Sequence, residues 1–336
     1  MLLVYRDDDS FAEKIKPLQN RTAFSGDVDR AVREILEQVR KEGDRALVRL
    51  AEKFDQVKLN PAEFLVDARE FAAAATQVDE ETKAAIRLAI AQVQDFAVQK
   101  KPKNWFYSPR EGVMLGEQFS PLQRVGCYVP GGTAPLVSTV IHTVAIAAAA
   151  GVEDIVVTTP PGKDGSVNAA LLYACKQAGA SRVYRLGGVY GIAALAYGTE
   201  SVEKVEKIVG PGNAYVTAAK RLVYGEVALD LVAGPSEIMI IADASANPAF
   251  IAADMLSQAE HGSGREQAVL LSTCADLLTQ VKAELSSQSK RLSRSDCVEQ
   301  VLENGVFLIE VKDLDEASSL ASQYAAEHLE LMVAEP

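Results

Sequence analysis

Three histidines, one tryptophan and four cysteines are all that this 336-residue chain contains of those residue types. Cys127, Cys175, Cys274 and Cys297 lie far apart and form no C-x-x-C pair. That spacing excludes a disulfide framework and a cysteine zinc site, and reads as the reduced thiols of a cytoplasmic protein. There is no Lys/Arg-rich run, and the net charge is −12, so neither a nucleic-acid nor an anionic membrane surface is expected. Residues 1–10 carry Arg6 and then Asp7-Asp8-Asp9, a pattern that no secretory signal shows. No repeat of solenoid period exists, and no G-x-G-x-x-G dinucleotide fingerprint. The one long uncharged run, 125–152, is broken in its first half by Gly126, Pro130, Gly131, Gly132 and Pro135. What remains is too short to span a bilayer and reads as a buried helix after a glycine turn.

What is present is an ordinary globular composition, 48% hydrophobic and 24% charged, in a chain long enough for two domains. Apolar Val28, Val32, Ile35, Leu36 and Val39 recur at helical spacing in an amphipathic pattern over 27–54, broken at Gly43, and 80–100 reads as a second helix. A linker at 101–116 holds Trp105, Pro102 and Pro109. From Arg124 the pattern becomes short apolar strands (125–129, 154–159, 182–186, 207–209, 237–242, 267–272, 306–311, 329–333). Between them lie helical runs at 166–177, 213–223, 248–258, 276–287 and 313–327. Alternating β and α elements with Val/Ile-rich strands predict parallel sheets of the α/β class.

Three glycine loops fall at strand-to-helix joins: Tyr128-Val129-Pro130-Gly131-Gly132-Thr133, Gly187-Gly188-Val189-Tyr190-Gly191, and Gly210-Pro211-Gly212-Asn213-Ala214-Tyr215. Each alone is consistent with a tight βα turn. Together they favour an anionic or nucleotide ligand, because glycine admits backbone N–H groups close to a phosphate and a following helix N-terminus favours its charge. A fourth turn, Gly234-Pro235-Ser236-Glu237, offers Ser236 either to a substrate or to the turn itself.

Gln258 and His261 are three residues apart near the end of a helical run, within Asp254-Met255-Leu256-Ser257-Gln258-Ala259-Glu260-His261. Positions i and i+3 share a helix face, so the pair reads either as a metal grip or as a capping histidine beside a surface glutamine. Glu327-His328 falls where a helix gives way to a strand. The two groups can divide base and acid roles, or His328 can cap the helix dipole. His142 lies in the apolar 138–150 segment and reads as a core or helix-face residue.

The longer motifs carry a resemblance. Val125-Gly126-Cys127-Tyr128-Val129-Pro130-Gly131-Gly132, residues 192–202, Lys207-Ile208-Val209-Gly210-Pro211-Gly212-Asn213-Ala214, Ala233-Gly234-Pro235-Ser236-Glu237, Ser257-Gln258-Ala259-Glu260-His261-Gly262 and Ala326-Glu327-His328-Leu329-Glu330 together resemble the histidinol dehydrogenase family, from about Arg21 to the last residue.

That resemblance implies a zinc- and NAD-dependent homodimer that oxidises the amino alcohol L-histidinol to L-histidine in two hydride transfers through an enzyme-held aldehyde. It assigns Gln258 and His261 to zinc and substrate, Glu327 and His328 to proton transfer, and Ser236 and His328 to substrate. Tyr128, Asn213 and position 190 fall to NAD. It implies two Rossmann-like parallel-sheet units: a first of 21–128 plus 237–336, a second, NAD-binding unit of 129–236 inserted into it, and an extension at 1–20, with the active site between the units.

Three departures stand out. Tyr190 replaces the family's glutamine, and weaker NAD binding is expected from it. Ile141-His142-Thr143 and an alanine run alter the 138–150 helix. The family's C-terminal zinc ligands fall beyond Pro336. A relative oxidising another small polar alcohol, such as a sulfopropanediol, and a catalytically incomplete form are the alternatives. Residues 1–336 alone are therefore expected to fold yet hold zinc poorly and oxidise histidinol negligibly. Zinc content after dialysis and NADH production, with and without an appended family-type segment, check this.

Overall fold

The computed structural model describes residues 1–6, 8, 10–19, 26–131, 136–232, 234–261, 264–292 and 295–336. Asp7, Asp9, the boundary at 20/21, Gly132, Thr133, Pro135, Gly262 and the side chain of Cys297, which entered the sequence reading, lie outside them. The chain divides into two units, Met1–Ala23 with Gly234–Pro336, and Phe24–Ala233.

In chain order the strands are β1 Leu2–Val4, β2 Trp105–Arg110, β3 Val113–Glu117, β4 Arg124–Tyr128, β5 Asp154–Thr158, β6 Arg182–Tyr184, β7 Lys207–Val209 and β8 Ala228–Leu229. They continue with β9 Glu237–Ala242, β10 Gln267–Ser272, β11 Val306–Glu310 and β12 His328–Met332. All eight strands expected from the apolar runs exist, with ends shifted by a residue or two. The fold is α/β, with two Rossmann-like parallel-sheet units, one continuous in sequence and inserted into the other.

The continuous unit has sheet order β6-β5-β4-β7-β8, all parallel. Its strands β4–β7 are largely buried, which is why they read as near-continuous apolar runs. One face packs with the helices Gly26–Glu42, Asp44–Phe54, Gly188–Tyr197 and Ala214–Val223, through Val32, Leu36, Leu47, Leu195 and Val216. The other packs Ile86, Ile90, Val144, Leu171 and Leu172 against Val125, Cys127, Ile155 and Val157. The discontinuous unit has order β1-β11-β10-β9-β12, again all parallel. Its helix Pro248–Ala259 starts from an Asn247 cap with proline in the first turn. It buries Ile251, Met255, Leu256 and Ala259 against Ile238, Ile240 and Ala242.

The observed division corrects the expected one. Residues 26–128 belong with the inserted unit, because β4 is hydrogen-bonded on both sides within that sheet. The helix pair 26–54 also completes its core. The expected N-terminal extension instead supplies β1, which pairs with β11. Both effects are long-range pairings that no local pattern announces. The expected linker 101–116 likewise folds, as the antiparallel hairpin β2–β3. The hairpin's aromatic and apolar residues are exposed on both of its faces. His142 sits on the exposed side of a π-helical turn, Ile141–Ala145, inside the expected helix.

Tyr190, expected at the cofactor, is instead a core residue, 1% exposed. Its hydroxyl donates a hydrogen bond to Asp55, at the end of the helix Asp44–Phe54. Burial raises the Asp55 pKa, and the Tyr190 bond partly offsets this. Tyr190→Phe leaves a half-buried carboxylate oxygen without its donor, and a loss of roughly 1–3 kcal/mol in urea unfolding at pH 7 is expected. A raised folded-state carboxylate pKa means the folded form binds the proton more readily, so this group's burden on stability lightens as pH falls through the raised pKa. The deficit of Tyr190→Phe should therefore narrow as the pH falls through the raised Asp55 pKa; a deficit that is flat with pH refutes the Asp55 contact as its cause.

Candidate active site

In the discontinuous unit, the expected substrate and metal residues gather at one place. Ser236 stands two residues before Ile238 of β9, and His328 opens β12 directly opposite Ile238. A helix connecting parallel strands runs back across the sheet, so its C-terminal end returns to the strands' N-terminal edge. Pro248–Ala259 therefore delivers Gln258 to the same edge. His261 follows, its backbone N–H bonded to the Gln258 carbonyl at 3.2 Å. Ser236 Oγ lies 3.4 Å from His261 Nδ1. The site is thus built on the N-terminal edge of the sheet, beside the switch between β9 and β12, whereas α/β ligand sites usually lie at carboxyl ends.

Two residues given no role in the sequence reading join it. Strand residues i and i+2 share a face, so Glu330 projects with His328 onto the face that the helix Pro248–Ala259 covers. Asp254, one helical turn before Gln258, acts on Glu330. Burial first, and then Asp254, raise the Glu330 pKa, and His328 opposes them. The period-two and i, i+4 spacings were the available signals. Among the described residues Gln258 Oε1 and Glu330 Oε2 are both buried without a hydrogen-bond partner, a costly state unless something else completes it. Glu327 and His328 are exposed.

An orphaned amide oxygen and an imidazole one turn apart are donors of the kinds zinc accepts. Among the described residues no group of three or more His, Cys, Asp or Glu is placed to hold a metal, so the pair is a partial donor set that fits zinc without closing its shell.

In the inserted unit the strand order reverses between β4 and β7, and the loops after these strands flank that switch. Asn213 caps the helix Ala214–Val223, accepting from the Tyr215 and Val216 N–H groups at 3.1 Å. Tyr128 is buried, and its hydroxyl accepts from Gly188 N–H at 3.1 Å. Burial pushes its pKa up to about 12, so it remains a neutral donor. A Cβ at Gly131 or Gly187 would meet Pro160 at 2.6 Å, and one at Gly210, whose φ is +119°, would overlap the Tyr128 carbonyl oxygen. The glycines are required by close packing against Pro160 and Tyr128, and the Asn213-capped helix N-terminus beside the switch point is the kind of place at which a dinucleotide's phosphates are held.

Comparison with known proteins shows the family. The histidinol dehydrogenase family model matches residues 18–336. Histidinol dehydrogenase of Synechococcus sp. is 45% identical over 91% of this chain and 70% of its own length. That of Lactococcus lactis subsp. lactis is 40% identical over 98% and 75%. The crystal structure of histidinol dehydrogenase from Elizabethkingia anophelis superposes with a TM-score of 0.90 at 35% identity, covering 100% of this chain and 76% of the other. With the family model matched over residues 18–336 and relatives 40–45% identical over more than nine-tenths of its length, the chain belongs to the histidinol dehydrogenase family, oxidoreductases of histidine biosynthesis.

Proposed function

We propose that this protein oxidises L-histidinol to L-histidine with NAD and zinc. The observation that carries the reading is the acidic cluster around Gln258, His261 and His328. The charges that act on partly buried Glu330 are Asp254 and His328, a setting that favours a substrate ammonium and disfavours the sulfonate of a sulfopropanediol. Gln258 and His261 hold the zinc, which when bound positions the amino alcohol. Tyr128 and Asn213 contact the NAD, which takes a hydride in each oxidation.

The chain's own groups do the proton work. His328 takes the hydroxyl proton as a hydride leaves the carbinol carbon, giving the aldehyde. Glu327 then takes a proton from water as its oxygen adds to the aldehyde carbon, and the resulting hydrate loses the second hydride. Ser236, beside His261, hydrogen-bonds the substrate. Cys127, Cys175 and Cys274 are free, which supports a reducing, cytoplasmic setting.

The division of labour is tested by kinetics. His328→Ala should cost about 10²- to 10⁴-fold in alcohol turnover with little change in substrate binding. Glu327→Gln should slow oxidation of supplied aldehyde more than that of the alcohol. Equal losses in both half-reactions for both variants would refute the assignment.

A homodimer is part of the same proposal, and the β2–β3 hairpin supports it. An isolated two-stranded hairpin is marginal in water, yet this one exposes Trp105, Phe106, Tyr107, Met114 and Leu115, with Phe119 just beyond. At roughly half exposure these offer on the order of 600 Å², close to about 800 Å² per partner in a stable interface. Tyr107→Glu with Leu115→Glu, opposite one another on one face, should shift sedimentation from dimer to monomer. An unchanged dimer would remove the hairpin from the interface.

A further inference from the structure

Lys220 is buried in the middle of the helix Ala214–Val223, its side chain 5% exposed. Its ammonium donates to the Gly210 carbonyl at 2.7 Å and to Asp230 Oδ1 at 2.5 Å. The other oxygen of Asp230 accepts from the Gly210 N–H at 2.8 Å, and Oδ1 also accepts from the Leu231 N–H at 2.7 Å. Both backbone polar groups of one glycine are thus held by the two ends of one ion pair. A buried lysine is an expensive way to hold a loop, since an apolar residue of its size fills the same volume without a desolvation penalty.

The glycine it holds is no ordinary turn residue. Gly210 adopts φ +119° and lies against the Tyr128 carbonyl oxygen so closely that no side chain fits. It opens the loop that leads through Asn213 into the Ala214–Val223 helix, on the β7 side of the switch between β4 and β7. Tyr128 in turn carries the Gly188 N–H on its hydroxyl. A shift of Gly210 therefore moves the helix N-terminus and disturbs Tyr128, which ties in the third loop.

We propose that Lys220 and Asp230 are positioning residues for the dinucleotide: their ion pair clamps Gly210, and through it sets the helix N-terminus and Tyr128 where the cofactor is held. The inference rests on the NAD reading of this unit. Neither side chain is assigned a contact with NAD.

Calorimetric titration with NAD is the test, and wild type comes first. If wild type does not bind NAD, the NAD reading fails and the clamp falls with it. Given wild-type binding, Lys220→Met should weaken NAD roughly tenfold or more, about 1.4 kcal/mol per factor of ten, and Asp230→Asn less. In turnover the KM for NAD should rise while the KM for histidinol stays. The comparison variant is Asp154→Asn, which breaks the Arg124–Asp154–Arg182 cluster at the opposite, N-terminal edge of the same sheet. It should lower the melting temperature and leave NAD affinity alone. Wild-type affinity in Lys220→Met, or a loss in Asp154→Asn matching its own, would overturn the proposal. If Lys220→Met does not fold, Asp230→Asn, which keeps the shape and one acceptor oxygen, carries the same test, and wild-type affinity there overturns the proposal equally.

Discussion

The inserted unit depends on one close approach, that of Gly210 to the carbonyl of Tyr128. β4 and β7 are neighbours in the sheet although they are far apart in the chain, and the loop after β7 must pass over the end of β4. Only a residue without Cβ, at positive φ, passes there. Once it does, the Tyr128 hydroxyl accepts the Gly188 N–H. Pro160 fills the notch left by Gly131 and Gly187. Loops from β4, β5, β6 and β7 are thereby fixed to one another by backbone and proline contacts.

The discontinuous unit uses the same β/α alternation to a different end. Its strand order reverses between β9 and β12, but the proposed site sits on the N-terminal edge. The reason is where its polar residues fall along each element. Ser236 precedes β9, His328 opens β12, and Gln258 ends the helix that returns toward that edge. β12 pairs with β9 alone among the described strands. Its one face therefore carries His328 and Glu330 toward the helix, while Leu329 and Leu331 of the other face stay exposed.

The sequence made the elements and the motif residues legible, because buried parallel strands are continuous Val/Ile runs and the capped helices carry clear signals. It concealed what depends on distant pairing. β1 is three residues long and exists through Phe307, Leu308 and Ile309, so nothing at residues 2–4 announces it. The helices over 26–54 read well as helices, but their face toward Leu195 and Val216 could not say which unit they complete. Tyr190 illustrates the same limit at the site. Its place in a glycine loop suggested a ligand contact, whereas Asp55, 135 positions away, gives its hydroxyl a partner inside the fold. Glu330 and Lys220 escaped for opposite reasons. One is a carboxylate in a short strand and the other an amphipathic helix residue, and each is common on a surface until the fold buries it.

The two units differ in how their buried polar atoms are satisfied. In the inserted unit Thr158 Oγ1, buried at the end of β5, has no partner among the described residues, but the network that holds Gly210 and Gly188 is satisfied internally: Lys220, both oxygens of Asp230, the Gly210 N–H and carbonyl, and the Gly188 N–H all have partners. That is the condition for a rigid cradle, since a satisfied network has one arrangement. In the discontinuous unit Gln258 Oε1 and Glu330 Oε2 are left over. An unsatisfied buried group costs about 1–3 kcal/mol, and a whole domain is stable by only about 5–15 kcal/mol, so two such atoms in one unit are a sizeable burden. Replacing them with apolar residues would lift it. Their persistence where Ser236, His261 and His328 converge is explained if a cation and an amino alcohol complete them, and the stability forgone without ligand then returns as binding energy.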